Sequence, residues 1–134
     1  MNKIIIDLDV YTYQIDFAHH VSNIVYIQWM EIGRLKLLEK LGMSVDKIEA
    51  DGITPILVNT NISYKQPIYL GDRVQLEIWI GDLTFATASL EFRFFKNGDT
   101  LAATGTQKGL FINLSTKKTH RLTPEERALF EKFM

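Results

Sequence analysis

The sequence predicts an α+β fold in which one long helix lies against a curled antiparallel sheet of about five strands. Three features carry that expectation. Residues 24–41 hold no proline and a single glycine, Gly33, before Gly42, which reads as a helix of about five turns with a glycine stop. Two neighbouring stretches then alternate with period two: Val74, Leu76, Ile78 and Ile80 stand between Arg73, Gln75, Glu77 and Trp79, and Ala86, Ala88, Leu90, Phe92 and Phe94 repeat the pattern. The connections, Gly81-Asp82 and Asn97-Gly98, are short enough to make consecutive strands antiparallel neighbours.

Taken in order, residues 4–15 are rich in β-branched and aromatic types and read as a first strand, running into a polar cluster at 16–23. The first half of the helix is apolar on nearly every side, through Ile24, Val25, Tyr26, Ile27, Trp29, Met30 and Ile32, and is expected to be enclosed. Lys36, Glu39 and Lys40 give its second half a wet face. Residues 53–64 form a strand, after which Pro67 and Gly71 bend the chain. A last strand covers 101–113, where Gly105 and Gly109 signal bulges or close backbone approach. Thr123-Pro-Glu-Glu126 is a capping box with proline at N1, so the tail is a short helix. An open sheet of this size has edges that demand cover, and self-association follows: a homodimer or homotetramer, with two sheets continuing edge to edge.

A chain of 134 residues has room for one domain, 1–134. Its 15 basic and 16 acidic residues leave a formal charge of −1, so no global field draws it to nucleic acid or anionic lipid. The absence of cysteine removes disulfides, thiolate metal sites and a cysteine nucleophile, and points to the cytoplasm. No apolar run approaches a membrane span, and residues 1–10 alternate Ile with Asp where a signal peptide needs a basic start. No metal or cofactor is expected. The histidines are His19, His20 and His120, and the two adjacent side chains diverge on a chain entering a helix.

With no nucleophile elbow or phosphate-cradling glycine loop in the chain, chemistry concentrates at residues 16–23, between a strand end and a helix start. Free amides there carry roughly half a positive charge. They favour the Asp16 carboxylate and could hold an oxygen that gains charge during acyl transfer. Such a site suits a thioester, whose thiolate leaves without a strong acid. Plainer roles compete: Asp16 as a cap or dipole partner, His20 as a packing residue, Ser22 and Asn23 as caps. Glu31 lies on the helical wheel among Ile24, Ile27, Leu35 and Leu38. A structural ion pair with Arg34 is preferred for it, and a catalytic carboxylate ranks second.

The segment D-F-A-H-H-V-S-N-I-V-Y-I-Q-W-M-E-I-G-R, residues 16–34, resembles the opening of hotdog-fold acyl thioesterases of the 4-hydroxybenzoyl-CoA thioesterase type. Asp16, His20, Val21, Asn23, Tyr26, Trp29, Glu31 and Arg34 match that pattern, and Y-K-Q-P-I-Y-L-G-D at 64–72 resembles the family's turn between strands. Two positions depart: His19 replaces the usual glycine and Ser22 the first asparagine of His-Val-Asn-Asn. The resemblance implies hydrolysis of an acyl-CoA thioester without a cofactor, Asp16 acting as nucleophile or general base. It also implies that the Asn23 backbone N–H polarises the carbonyl while His19, His20 and Tyr26 shape the pocket and Trp29 packs behind. Asn59 and Asn61 are candidates for a wall supplied by a partner subunit, and Lys117 and Lys118 for CoA phosphate contacts, against a plain solvated turn. An acyl-carrier-protein substrate and a non-catalytic module that binds an acyl thioester or a partner protein are the alternatives.

Overall fold

The computed structural model describes residues 2–134; Met1, with which the N-terminal reading began, lies outside them. The chain runs β1 (Ile4–Leu8), a 3₁₀ turn (Thr12–Gln14), α1 (Asn23–Leu41), α2 (Val45–Ala50), β2 (Ile53–Tyr64), β3 (Val74–Leu83), β4 (Thr87–Lys96), β5 (Thr100–Asn113), β6 (Thr119–His120) and α3 (Pro124–Glu131). The antiparallel sheet has the order β1-β3-β4-β5-β2. The two-residue β6 pairs with β5, which makes six strands where about five were expected.

The first strand is shorter than its composition suggests. Pairing with β3 stops at Leu8 opposite Val74, and beyond it Gln14 Oε1 accepts a hydrogen bond from the Tyr11 amide at 2.7 Å. That side chain turns the chain into a 3₁₀ strap and takes an amide that a ladder would use. The strap is tied to the helix start, since Ser22 N donates to Gln14 O at 2.9 Å. The short α2 carries no strong pattern in the sequence and seals the far end of α1 through buried Ile48.

α1 begins and ends as its sequence dictates. Ser22 is the N-cap, its Oγ accepting from Ile24 N at 3.4 Å, and Gly42 closes the helix with φ 82°, a left-handed conformation that glycine adopts without steric cost. Val25, Tyr26, Trp29, Met30, Leu37, Leu38 and Leu41 are buried against the concave face of the sheet. Fully burying a large apolar side chain contributes about 1.5–3 kcal/mol. Gly33 makes the closest approach: a Cβ there would overlap the Ile78 side chain and stand 2.9 Å from Leu76 Cδ2.

The expectation that the first half of α1 is wrapped on every side is corrected. Ile24, Ile27 and Ile32 keep 69%, 44% and 43% of their surface exposed. The sheet curls over one side of the helix only, and the opposite stripe has no cover within the chain. Of the two interrupting glycines in β5, Gly105 is a close approach, with Met30 Cε 3.0 Å from a would-be Cβ. Gly109 stands where β2 shifts register between Leu57 and Asn59, so the bulge lies in the opposing strand. The Thr123 capping box forms as expected: Thr123 Oγ accepts from Glu126 N at 3.1 Å and Glu126 Oε1 accepts from Thr123 N at 2.8 Å. No helix among the described residues is long and apolar enough to cross a membrane.

Candidate active site

Residues 16–20 form a tight loop at the start of α1. His19 N donates to Asp16 O at 2.9 Å and Asp16 N to His20 O at 3.1 Å. The Asp16 side chain joins the same loop, its Oδ1 accepting from Ala18 N at 2.8 Å in an Asx turn. The geometry forces His19 to φ 69°, which a glycine would meet without strain. His19 and Phe17 point into solvent, whereas Asp16 and His20 are half-buried.

The loop delivers the chain to the first turn of α1, where amides lack helical partners. Two of them turn back to the cap residue: Ile24 N to Ser22 Oγ, and Val25 N to Ser22 O at 3.0 Å. Asn23, the first helical residue, lines an open cleft of about 290 Å³ together with His20, Tyr26, Tyr64, Lys65 and Pro67. Three expected pocket residues, His20, Asn23 and Tyr26, are therefore brought together. His20 is oriented by its own neighbour, Nδ1 lying 3.2 Å from Val21 O. Tyr26 packs edge-on against Trp29, with ring centroids 5.6 Å apart, the backing role expected of that tryptophan. Burial, followed by the neighbouring Tyr64, pushes the Tyr26 phenol up to about 12.

The opposite wall comes from residues that were not among the expected pocket residues. Tyr64, Lys65, Gln66 and Pro67 close the cleft, and Lys65 and Gln66 are fixed because both amides donate to Ala102 O, at 2.8 and 3.0 Å. Its signal in the sequence is the family-like run at 64–72, which resembles a turn between strands.

Other expected residues fall elsewhere. Asp16 begins the loop but is not part of the cleft wall within a single chain. His19 is outside it too, turned to solvent by its backbone conformation. Asn59 and Asn61 sit exposed on β2, the edge strand, opposite Lys108 and Thr106. Lys117 and Lys118 are exposed in a turn that Asn113 organises, its Oδ1 accepting from Ser115 N and Thr116 N at 2.9 and 3.0 Å.

Glu31 pairs with Arg34 as anticipated, at 3.2 Å. The acid is nevertheless the exposed partner, at 64% against 15% for the arginine side chain. Arg34 is anchored inward by Gln107 Oε1 at 2.9 Å, and Gln107 Nε2 donates to Thr60 Oγ1 at 3.3 Å. This chain of bonds links α1 to the edge strand. A second cavity, of about 70 Å³, opens beside the C-terminal half of α1 between Leu37, Leu38, Leu90, Phe111 and Phe130.

The fold and the cleft at a helix start define the class. The chain belongs to the Thioesterase-like superfamily, whose family model matches residues 10–130, and membership places it among thioester hydrolases. The fold is the hotdog fold. The chain is 25% identical over 124 residues to YneP of Bacillus subtilis (strain 168), a protein whose name assigns it provisionally to acyl-CoA thioesterases; the match covers 90% of this chain and 88% of that one. A 1,4-dihydroxy-2-naphthoyl-CoA hydrolase of Prochlorococcus marinus (strain NATL2A) is 27% identical over 119 residues, covering 82% and 76%. Among solved structures, a Staphylococcus aureus protein determined in complex with CoA superposes with a TM-score of 0.92 at 18% identity, over 98% of this chain and 84% of that one.

Proposed function

We propose that this chain hydrolyses an acyl-CoA thioester to the free acid and CoA, with Asp16 as the reacting carboxylate and the Asn23 N–H as a donor to the thioester carbonyl. One observation carries the reading: a carboxylate is held by an Asx turn in the loop that leads directly to Asn23, the first residue of α1, which lines a cleft. Either a carboxylate oxygen adds to the carbonyl carbon, expels the thiolate and leaves an anhydride for water to open, or the carboxylate takes a proton from water as the water oxygen adds. In both routes the carbonyl oxygen gains negative charge at the positive end of α1. The CoA relationship of the solved neighbour and the named activities of the relatives support the substrate class.

The site is completed, in this reading, by a second copy of the chain in the cytoplasm. β2 is a 12-residue edge strand with Ile56, Leu57 and Val58 exposed at 41%, 40% and 58%. The bare stripe of α1, Ile24, Ile27, Ile32 and Leu35, adds further exposed apolar surface. Pairing two such edges about a two-fold axis covers strand and stripe together. Asn59 and Asn61 then belong to the interface and stand as candidates to wall the neighbour's cleft. Lys117 and Lys118 are kept as candidates for the CoA phosphates.

The test is release of free thiol from short, long and aromatic acyl-CoAs, with acyl-carrier-protein thioesters in parallel. Turnover of at least one acyl-CoA, lost in Asp16→Asn, is expected. Tight binding of acyl-CoA with no thiol released would replace the hydrolase with a binding module, and turnover of carrier-protein thioesters alone would move the substrate class.

A further inference from the structure

Tyr26 combines deep burial with an unclaimed hydroxyl. Its surface is only 3% exposed, its ring held among Trp29, Tyr64 and Phe94 at centroid distances of 5.6, 5.1 and 5.4 Å. No protein group among the described residues accepts from or donates to its oxygen. Yet no fully enclosed polar side-chain atom among those residues lacks a partner. Both hold together when the hydroxyl emerges at the surface, and the surface that Tyr26 reaches is the cleft it shares with His20, Asn23 and Lys65.

Direction follows from helix geometry. Long side chains on an α-helix lean toward its N-terminus, and Tyr26 lies three residues after Asn23, on the same face. The phenol therefore reaches back toward the turn that carries Asn23. Its pKa near 12, raised by burial, keeps its proton in place across neutral pH.

We propose that Tyr26 Oη is a second donor to the carbonyl oxygen of the bound thioester, beside the Asn23 N–H, and so a catalytic residue. This rests on the hydrolase reading above. As the oxygen nucleophile adds to the carbonyl carbon, the C=O π pair moves onto oxygen, which accepts both hydrogen bonds. When the double bond re-forms, the C–S bond breaks and the thiolate leaves with its electron pair. Tyr26 keeps its proton throughout.

Tyr26→Phe removes one oxygen and preserves the aromatic packing. Loss of one such donor lowers turnover by about 10²-fold, with KM changed far less and the melting temperature retained. Binding gives a readout that needs no turnover. A ketone analogue, with CH₂ in place of the thioester sulfur, keeps the carbonyl, and a thioether analogue lacks it. Wild type should prefer the ketone, and Tyr26→Phe should lose about tenfold of that preference. In the wild-type protein with ¹³Cζ-tyrosine, the Tyr26 signal should move on adding the ketone and stay put with the thioether. Turnover within twofold of wild type, an unchanged ketone preference, or a Tyr26 signal blind to the ketone overturns the proposal. If wild type releases no thiol from any thioester, the hydrolase reading fails by itself, while the two analogues still decide whether Tyr26 meets a carbonyl.

Discussion

The two ends of α1 have opposite characters. At its N-terminal end the helix meets a loop bent through a strained His19 and a cleft of about 290 Å³ with a histidine, a lysine and two tyrosines on its walls. At its C-terminal end Gly42 caps it, Leu37, Leu38 and Leu41 are buried, and the neighbouring cavity of about 70 Å³ is walled almost entirely by apolar side chains. The difference teaches a division of labour along one element. The first turns combine buried Val25, Tyr26, Trp29 and Met30 with a strained loop and available polar groups, and the last turns supply apolar burial that holds the helix on the sheet.

That division can be broken by paired measurements. Asp16→Asn retains the acceptor for Ala18 N but removes the charge, and turnover should fall by about a thousandfold, near 4 kcal/mol on the barrier. Its urea midpoint should stay close to wild type. Leu37→Ala, at a side chain 1% exposed, should do the reverse: a loss of about 3 kcal/mol in urea unfolding with turnover close to wild type. If the two variants lose stability equally, the helix has no functional end and structural end.

The remaining expectations sharpen the contrast. Val58→Lys puts a charge on the bulged, 58%-exposed position of the edge strand and should weaken self-association by about tenfold or more, read by light scattering across a dilution series. An unchanged assembly would place the interface elsewhere. The smallest effect is alkaline. A folded Tyr26 near 12, against about 10 unfolded, favours the folded state fully below pH 10, and that contribution fades as pH rises toward 12. Denaturant titrations at pH 9 and 11 should show a larger decline in wild type than in Tyr26→Phe.

Much of this was legible in the sequence because local chemistry decided it. Ser22, Gly42 and the Thr123 box mark helix ends through bonds within a few residues, and the run at 16–34 resembles a family to which the match over residues 10–130 assigns the chain. What stayed hidden depends on distant partners. The short β1 results from one side-chain bond, Gln14 to the Tyr11 amide, that strand composition does not encode. The wall at Tyr64–Pro67 meets α1 only because β2 pairs with β5 and Ala102 O gathers the Lys65 and Gln66 amides. Periodicity identified Ile24, Ile27 and Ile32 as apolar, and apolarity alone cannot say which neighbour, within the chain or beyond it, covers them.

At Gly33 the helix backbone rests directly on the Ile78 and Leu76 side chains of β3, with no side chain of its own between. Raising α1 to admit a bulkier acyl group would strip contact from Ile78 and Leu76 at the middle of the molecule, so widening by helix displacement is closed to evolution here. If the cleft takes the acyl group as proposed, changes in acyl preference come from trimming or enlarging individual residues around its mouth, such as His20, Tyr64 and Lys65, while the frame beneath stays put.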